Sequence, residues 1–145
     1  MDAVSAPRND LYTASVTATG GRDGCVVSSD GELEVKLALP PALGGDGRGT
    51  NPEQLFAAGY ATCFANALTM VARAARQRLE RVEVTGEVGL GRDADGGFSL
   101  SVTLRVDLPD ELRNETGHDL VRQAHGACPY SKATRGNIPV RLLLV

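Results

Sequence analysis

Three side chains in this sequence could act as nucleophiles through sulfur: Cys25, Cys63 and Cys128. Thiol chemistry needs a thiolate, so the setting of each cysteine decides what it can do. Cys63 lies between Thr62 and Phe64 in an apolar stretch. A lone cysteine there is an ordinary small core residue. Cys128 precedes Pro129, and a proline suited to the first helical position predicts a helix starting at that point. Helix N-termini carry unpaired backbone N–H groups and a partial positive charge, which favour a thiolate. On this argument alone Cys128 is the better-activated thiol, with an unreactive capping thiol as the alternative. Cys25 sits in a short strand with Val26 and Val27 and is assigned no role.

Two charged residues could tune such a thiol. Arg22 lies in a glycine-bracketed turn, Gly20-Gly21-Arg22-Asp23-Gly24. Its guanidinium is permanently charged and offers several donors. Glu53 falls in the first turn of a predicted helix, ten residues before Cys63. A carboxylate there can accept a bidentate bond from an arginine and orient it. Taken singly, each residue also reads as a solvated turn or a helix-dipole partner. His118 and His125, with the cysteines, match no strong zinc spacing. The glycines at 44, 45, 47 and 49 match no common nucleotide-binding motif.

The elements that must position these residues follow from periodicity. Alternation over Leu11–Ala18, a short strand at Cys25–Ser28 and alternation over Leu33–Leu39 predict three antiparallel strands, with Asp30-Gly31 as a hairpin turn. Asn51 or Thr50 caps a helix whose first position suits Pro52, and that helix is predicted to run to about Leu79. Its first half is apolar nearly all round, from Leu55 to Phe64. Such a helix must be covered on every side, which one small sheet cannot do, so a dimer is expected. Val82–Leu90 and Phe98–Val106 predict a hairpin around Asp95-Gly96-Gly97. Thr116–His125 predicts a second helix stopped by Gly126, a short third helix is predicted from Cys128-Pro129, and Ile138–Val145 predicts a last strand. The order is βββ-α-ββ-α-β, an α+β fold with a long buried central helix, read as a single domain over residues 1–145.

Composition narrows the function classes. The chain has 145 residues, 42% hydrophobic and 23% charged, with net charge −3. That is enough apolar residue for a core, and it supplies no electrostatic footprint for nucleic acid or an anionic membrane. The start, Met1–Asp10, is polar and unlike a secretory signal. The apolar stretch Leu55–Ala75 is interrupted by Thr62, Asn66, Thr69 and Arg73, so it reads as a buried helix rather than a membrane span. These features lead us to expect a cytoplasmic, reducing location, where cysteines serve catalysis, sensing or packing more often than permanent disulfides.

Several segments together resemble the organic hydroperoxide resistance family: Thr50-Asn51-Pro52-Glu53-Gln54-Leu55-Phe56-Ala57-Ala58-Gly59-Tyr60 leading to Cys63, Ala124-His125-Gly126-Ala127-Cys128-Pro129-Tyr130-Ser131 continuing to Asn137, and the Arg22 turn. The resemblance covers the chain from about Leu11 onward. The osmotically inducible sister branch usually departs from these motifs, and Cys25 is this chain's mild departure. The resemblance implies an intertwined homodimer with two interfacial sites. It implies Cys63 as the peroxidatic thiol and Cys128 as the resolving one, the reverse of the helix-terminus argument, with Arg22 and Glu53 activating Cys63. It also implies recycling by an external dithiol, dihydrolipoyl groups on lipoylated proteins, with no metal, haem or flavin. Phe56, Tyr60 and Phe64 are expected to form an apolar pocket favouring alkyl or fatty-acid hydroperoxides. Competing readings are a sister-branch redox enzyme, a non-catalytic dimeric module binding an apolar or lipoyl ligand, and a thiol redox sensor.

Overall fold

The computed structural model describes residues 9–145. The polar start through residue 8 lies outside them. The chain divides into two compact units, with the division between Asn51 and Pro52.

The first unit is an antiparallel meander of β1 (Val16–Thr19), β2 (Cys25–Ser28) and β3 (Glu34–Lys36). Val16 pairs with Ser28 and Thr19 with Cys25; Cys25 pairs in turn with Lys36. The predicted first strand is shorter than its alternation suggested: Leu11 and Tyr12 lie outside it and are exposed. Only four residues of β1 find partners, all on β2, so alternation beyond them has no ladder to join. The turn between β1 and β2 is a single 3₁₀ turn, Gly21–Asp23. A Cβ on Gly24 would stand 1.6 Å from the Thr19 carbonyl oxygen, so only glycine closes this turn.

The second unit holds a mixed sheet in the order β4 (Glu83–Arg92), β5 (Phe98–Asp107), β6 (Val140–Leu144). β4 and β5 form the predicted hairpin, antiparallel from Glu83↔Asp107 to Arg92↔Phe98, and β6 pairs parallel to β5. A parallel return needs a crossover, which the segment carrying α2 (Glu115–Ala127) and α3 (Pro129–Thr134) provides. α1 (Pro52–Ala74) packs on β4 and α2. Its approach is close: a Cβ on Gly86 of β4 would lie 2.9 Å from the Ala57 carbonyl oxygen. The core gathers Tyr60, Phe64, Ala67, Leu68 and Ala72 of α1, Val102, Leu104 and Val106 of β5, and Leu120, Val121 and Ala124 of α2. Phe98, the first residue of β5, is exposed at the hairpin end, where the Arg92 guanidinium stacks 4.7 Å from its ring centre.

Two helix ends differ from the sequence reading. α1 stops at Ala74 rather than near Leu79. Arg76 adopts φ +57, and Gln77 N–H donates to the Ala72 carbonyl, a left-handed helix stop of the kind glycine usually supplies. α2 continues through Gly126 to Ala127. What ends it is Cys128 in an extended conformation (φ −67, ψ 123), which Pro129 imposes on the residue before it. At the other end Asn114 caps α2, accepting from Thr116 N–H and Gly117 N–H.

By length and composition α1 is apolar enough to cross a membrane, yet one side of it lies in the core just described. The opposite side, through Ala58, Thr62, Asn66, Thr69, Met70 and Arg73, is exposed in the single chain.

Candidate functional site

The fold brings Cys63 and Cys128 together. Cys63 sits midway along α1, and Cys128 occupies the joint between α2 and α3. Their Sγ atoms are 3.6 Å apart, and both are free thiols. Cys128 is completely buried while Cys63 is half-buried, so Cys63 is the sulfur a solute meets first. Cys25, the third thiol, is exposed on β2.

Burial pushes the Cys63 thiol up from its ordinary pKa, a backbone N–H of Tyr130 donated to its sulfur pulls it down, and the neighbouring Cys128 thiol raises it again. The net direction is upward. The expected helix N-terminus therefore exists, but its first turn directs an N–H to Cys63 rather than to Cys128. Cys128 is the N-cap of that helix, as its sequence position predicts, but its side chain makes no capping bond; that α1 brings Cys63 to the same turn is a tertiary contact the sequence does not show.

Arg22 lies partly buried in the turn of the first unit, and Glu53 half-buried in the first turn of α1. Ten residues of helix separate Glu53 from Cys63 by about 15 Å of rise. Glu53 is thus too far along the helix to touch the sulfur.

The three expected pocket aromatics separate. Tyr60 and Phe64 have no exposure and belong to the core. Phe56 is half-buried and helps line an apolar cleft of about 270 Å³ together with Leu100, Tyr130, Ala133, Asn137 and Ile138. Tyr130 takes a place expected for Tyr60: its ring centre lies 6.2 Å from Phe56 and 5.7 Å from Tyr60, and its own N–H reaches Cys63.

A polar cluster beside the sulfurs went unread in the sequence. Tyr60 Oη donates to Ser131 Oγ at 2.9 Å and lies 3.1 Å from Thr134 Oγ1. His125 Nδ1 is 2.9 Å from Ser131 Oγ. Thr134 Oγ1 donates to the Tyr130 carbonyl, and Arg135 donates to the His125 carbonyl. Burial, then the Arg135 charge, lower the His125 pKa from its ordinary value. A tyrosine inside an apolar helix needs a hydroxyl partner, and that need was the available signal. Among the described residues no buried side-chain polar atom lacks a partner, and no three His, Cys, Asp or Glu side chains converge to hold a metal.

A buried thiol and a more accessible one thus stand at near-contact distance, close enough for a small shift to join them. Comparison places the chain in a known family. Residues 45–143 match the family model of OsmC-like proteins. An organic hydroperoxide resistance protein of Xanthomonas axonopodis pv. citri is 50% identical over 143 residues, covering 97% of this chain and 99% of that one. The crystal structure of the organic hydroperoxide resistance protein OhrB of Bacillus subtilis superposes with TM-score 0.85 at 50% identity, covering 94% of this chain and 100% of that one. A Vibrio cholerae structure with captopril bound in one of the active sites superposes with TM-score 0.88 at 45% identity, covering 96% and 95%. The chain belongs to the organic hydroperoxide resistance family, within the OsmC-like proteins.

Proposed function

We propose that the chain is a thiol peroxidase that reduces organic hydroperoxides in oxidative stress defence. The 3.6 Å approach of a half-buried and a fully buried thiol is the observation that carries this reading. Family membership supports the substrate class.

The accessible Cys63 thiolate attacks the outer hydroperoxide oxygen. The O–O bond breaks, the alkoxide leaves as alcohol after taking a proton, and Cys63 becomes a sulfenic acid. Cys128 then attacks the Cys63 sulfur, a disulfide forms, and hydroxide leaves as water with the thiol proton. An external dithiol of the lipoyl type attacks the disulfide at Cys63, the reachable sulfur, and Cys128 departs as thiolate. Two such exchanges return both thiols and oxidise the dithiol.

Burial alone would leave Cys63 mostly protonated at neutral pH. In this reading Arg22, oriented by Glu53, supplies the missing positive charge. The exposed side of α1 and the thinly buried first sheet favour a homodimer whose second copy covers them. The apolar cleft beside Tyr130 suits an alkyl or aryl substituent. We place the enzyme in the cytoplasm, where dithiols keep it reduced, and assign it no bound cofactor.

The test is steady-state reduction of cumene hydroperoxide with dihydrolipoamide, hydrogen peroxide serving as control. Turnover that favours the organic peroxide and disappears in Cys63→Ser is expected. Undiminished dithiol-dependent turnover in Cys63→Ser would overturn the scheme.

A further inference from the structure

Cys128 is fully buried, so it cannot find its target by swinging out into solvent. The sulfurs stand 3.6 Å apart, and a disulfide requires about 2.0 Å. The joint that carries Cys128 must therefore be held where a small shift completes the bond. The residues flanking this joint are tied together in a specific way. His125 lies three residues before Cys128 and Ser131 three residues after it, and their side chains meet at 2.9 Å. This bond closes a short ring of chain around the α2–α3 kink. Arg135 tightens the ring by donating to the His125 carbonyl. Tyr60 then fastens the ring to α1 through its hydroxyl bond to Ser131. Tyr60 is one helical turn before Cys63, so the fastening point lies beside the sulfur that Cys128 must reach.

We infer that Tyr60, Ser131 and His125 are positioning residues for the sulfur-to-sulfur step, clamping the α2–α3 joint to α1 so that Cys128 Sγ lies in reach of an oxidised Cys63. This inference rests on the thiol reading above. The core itself does not require the clamp: a phenylalanine at position 60 would fill the same volume without a hydroxyl to satisfy. Buried hydroxyls bonded to one another and to a part-buried imidazole fix one arrangement of three helices where apolar packing would tolerate several. Attack on a sulfenic sulfur depends on such alignment, and misplacement by about 1 Å can cost on the order of 10²-fold in rate.

The step is isolated by oxidising the reduced, full-length protein and timing disulfide closure by acid quench and non-reducing mass analysis. Two oxidants are used: cumene hydroperoxide, which passes through the Cys63 sulfenic acid, and diamide, which activates a thiol for attack by its neighbour without any peroxide chemistry. In Ser131→Ala, closure is expected to slow about tenfold with either oxidant, while dimedone-trapped Cys63 sulfenic acid builds up after hydroperoxide. Tyr60→Phe should slow closure by a similar factor, and the double variant by less than the product of the two, because both remove the Tyr60–Ser131 link. His125→Ala, at a partly exposed position, supplies the same comparison should Tyr60→Phe fold poorly. Closure at the wild-type rate in these variants would overturn the inference. So would a parallel loss of sulfenic acid formation, closure and thermal stability, which marks general loosening. A wild-type protein that closes with diamide but ignores hydroperoxide would refute the peroxidase reading while leaving the clamp to be judged on the diamide rates.

Discussion

In the β4–β5–β6 sheet, Val102, Leu104 and Val106 are buried to 3% exposure or less. In the β1–β2–β3 sheet only Val26 among the strand residues is buried, and every residue of β1 is exposed. Both sheets come from alternating segments with glycine turns, and both form antiparallel hairpins. The difference lies in what each covers. The second sheet packs on α1 and shares the core that holds both sulfurs, whereas the first holds Arg22 on a tight turn and keeps little apolar surface for itself. One unit carries both thiols in and against its core; the other carries Arg22 and leaves most of its strand residues exposed.

Truncation in the second sheet should have the largest effect. Leu104→Ala should destabilise by about 2–5 kcal/mol in chemical denaturation, since it empties a fully buried site. A loss below 1 kcal/mol would mean that the core is not where we place it. Next comes the charge carried by the first unit. Arg22→Ala should lower the rate of Cys63 oxidation by hydroperoxide about 10²-fold near pH 7, or about 2.7 kcal/mol in barrier. Only the thiolate reacts, and burial already raises the Cys63 pKa, so removing the cation moves the pH–rate profile to higher pH, and the rate recovers as pH rises. An unchanged profile would remove Arg22 from the site.

Gly86→Ala tests how closely the second sheet and α1 approach. The added Cβ meets backbone rather than a yielding side chain, and a cost of about 1–3 kcal/mol is expected in a thermal melt. Arg76→Gly should act in the opposite direction, stabilising by about 0.5–1 kcal/mol, because glycine carries φ +57 without steric penalty. The smallest folding effect belongs to the first sheet. Val16→Asp, on exposed β1, should change unfolding of the isolated chain by less than about 0.5 kcal/mol. It should nevertheless weaken self-association in sedimentation experiments, and equal dimer strength would show that this sheet is not the interface.

Much of this was legible in the residues. Period-two alternation located β4 and β5 to within a residue or two, and Pro52 marked the first position of α1. Pro129 announced α3, yet Gly126 misled as the stop of α2, because the backbone restriction comes from the proline after Cys128 and not from the glycine. The end of α1 was missed because an arginine occupies the left-handed position. The site was legible as a set of residue types but not as contacts. Which sulfur receives the Tyr130 N–H, and which aromatic borders the cleft, depend on how α3 lies against α1, a tertiary choice that leaves no local period. Tyr60 and Phe64 looked like pocket residues because apolar positions of a core and of a cleft read alike in sequence.

The most direct test of the central claim is to treat the fully reduced protein with one equivalent of cumene hydroperoxide, count the remaining thiols and map the linkage by peptide mass analysis. Loss of two thiols, a Cys63–Cys128 disulfide and a Cys25 that still reacts as a free thiol are expected. Three intact thiols after exposure to the peroxide, or consumption of Cys25 in place of Cys63, would contradict it.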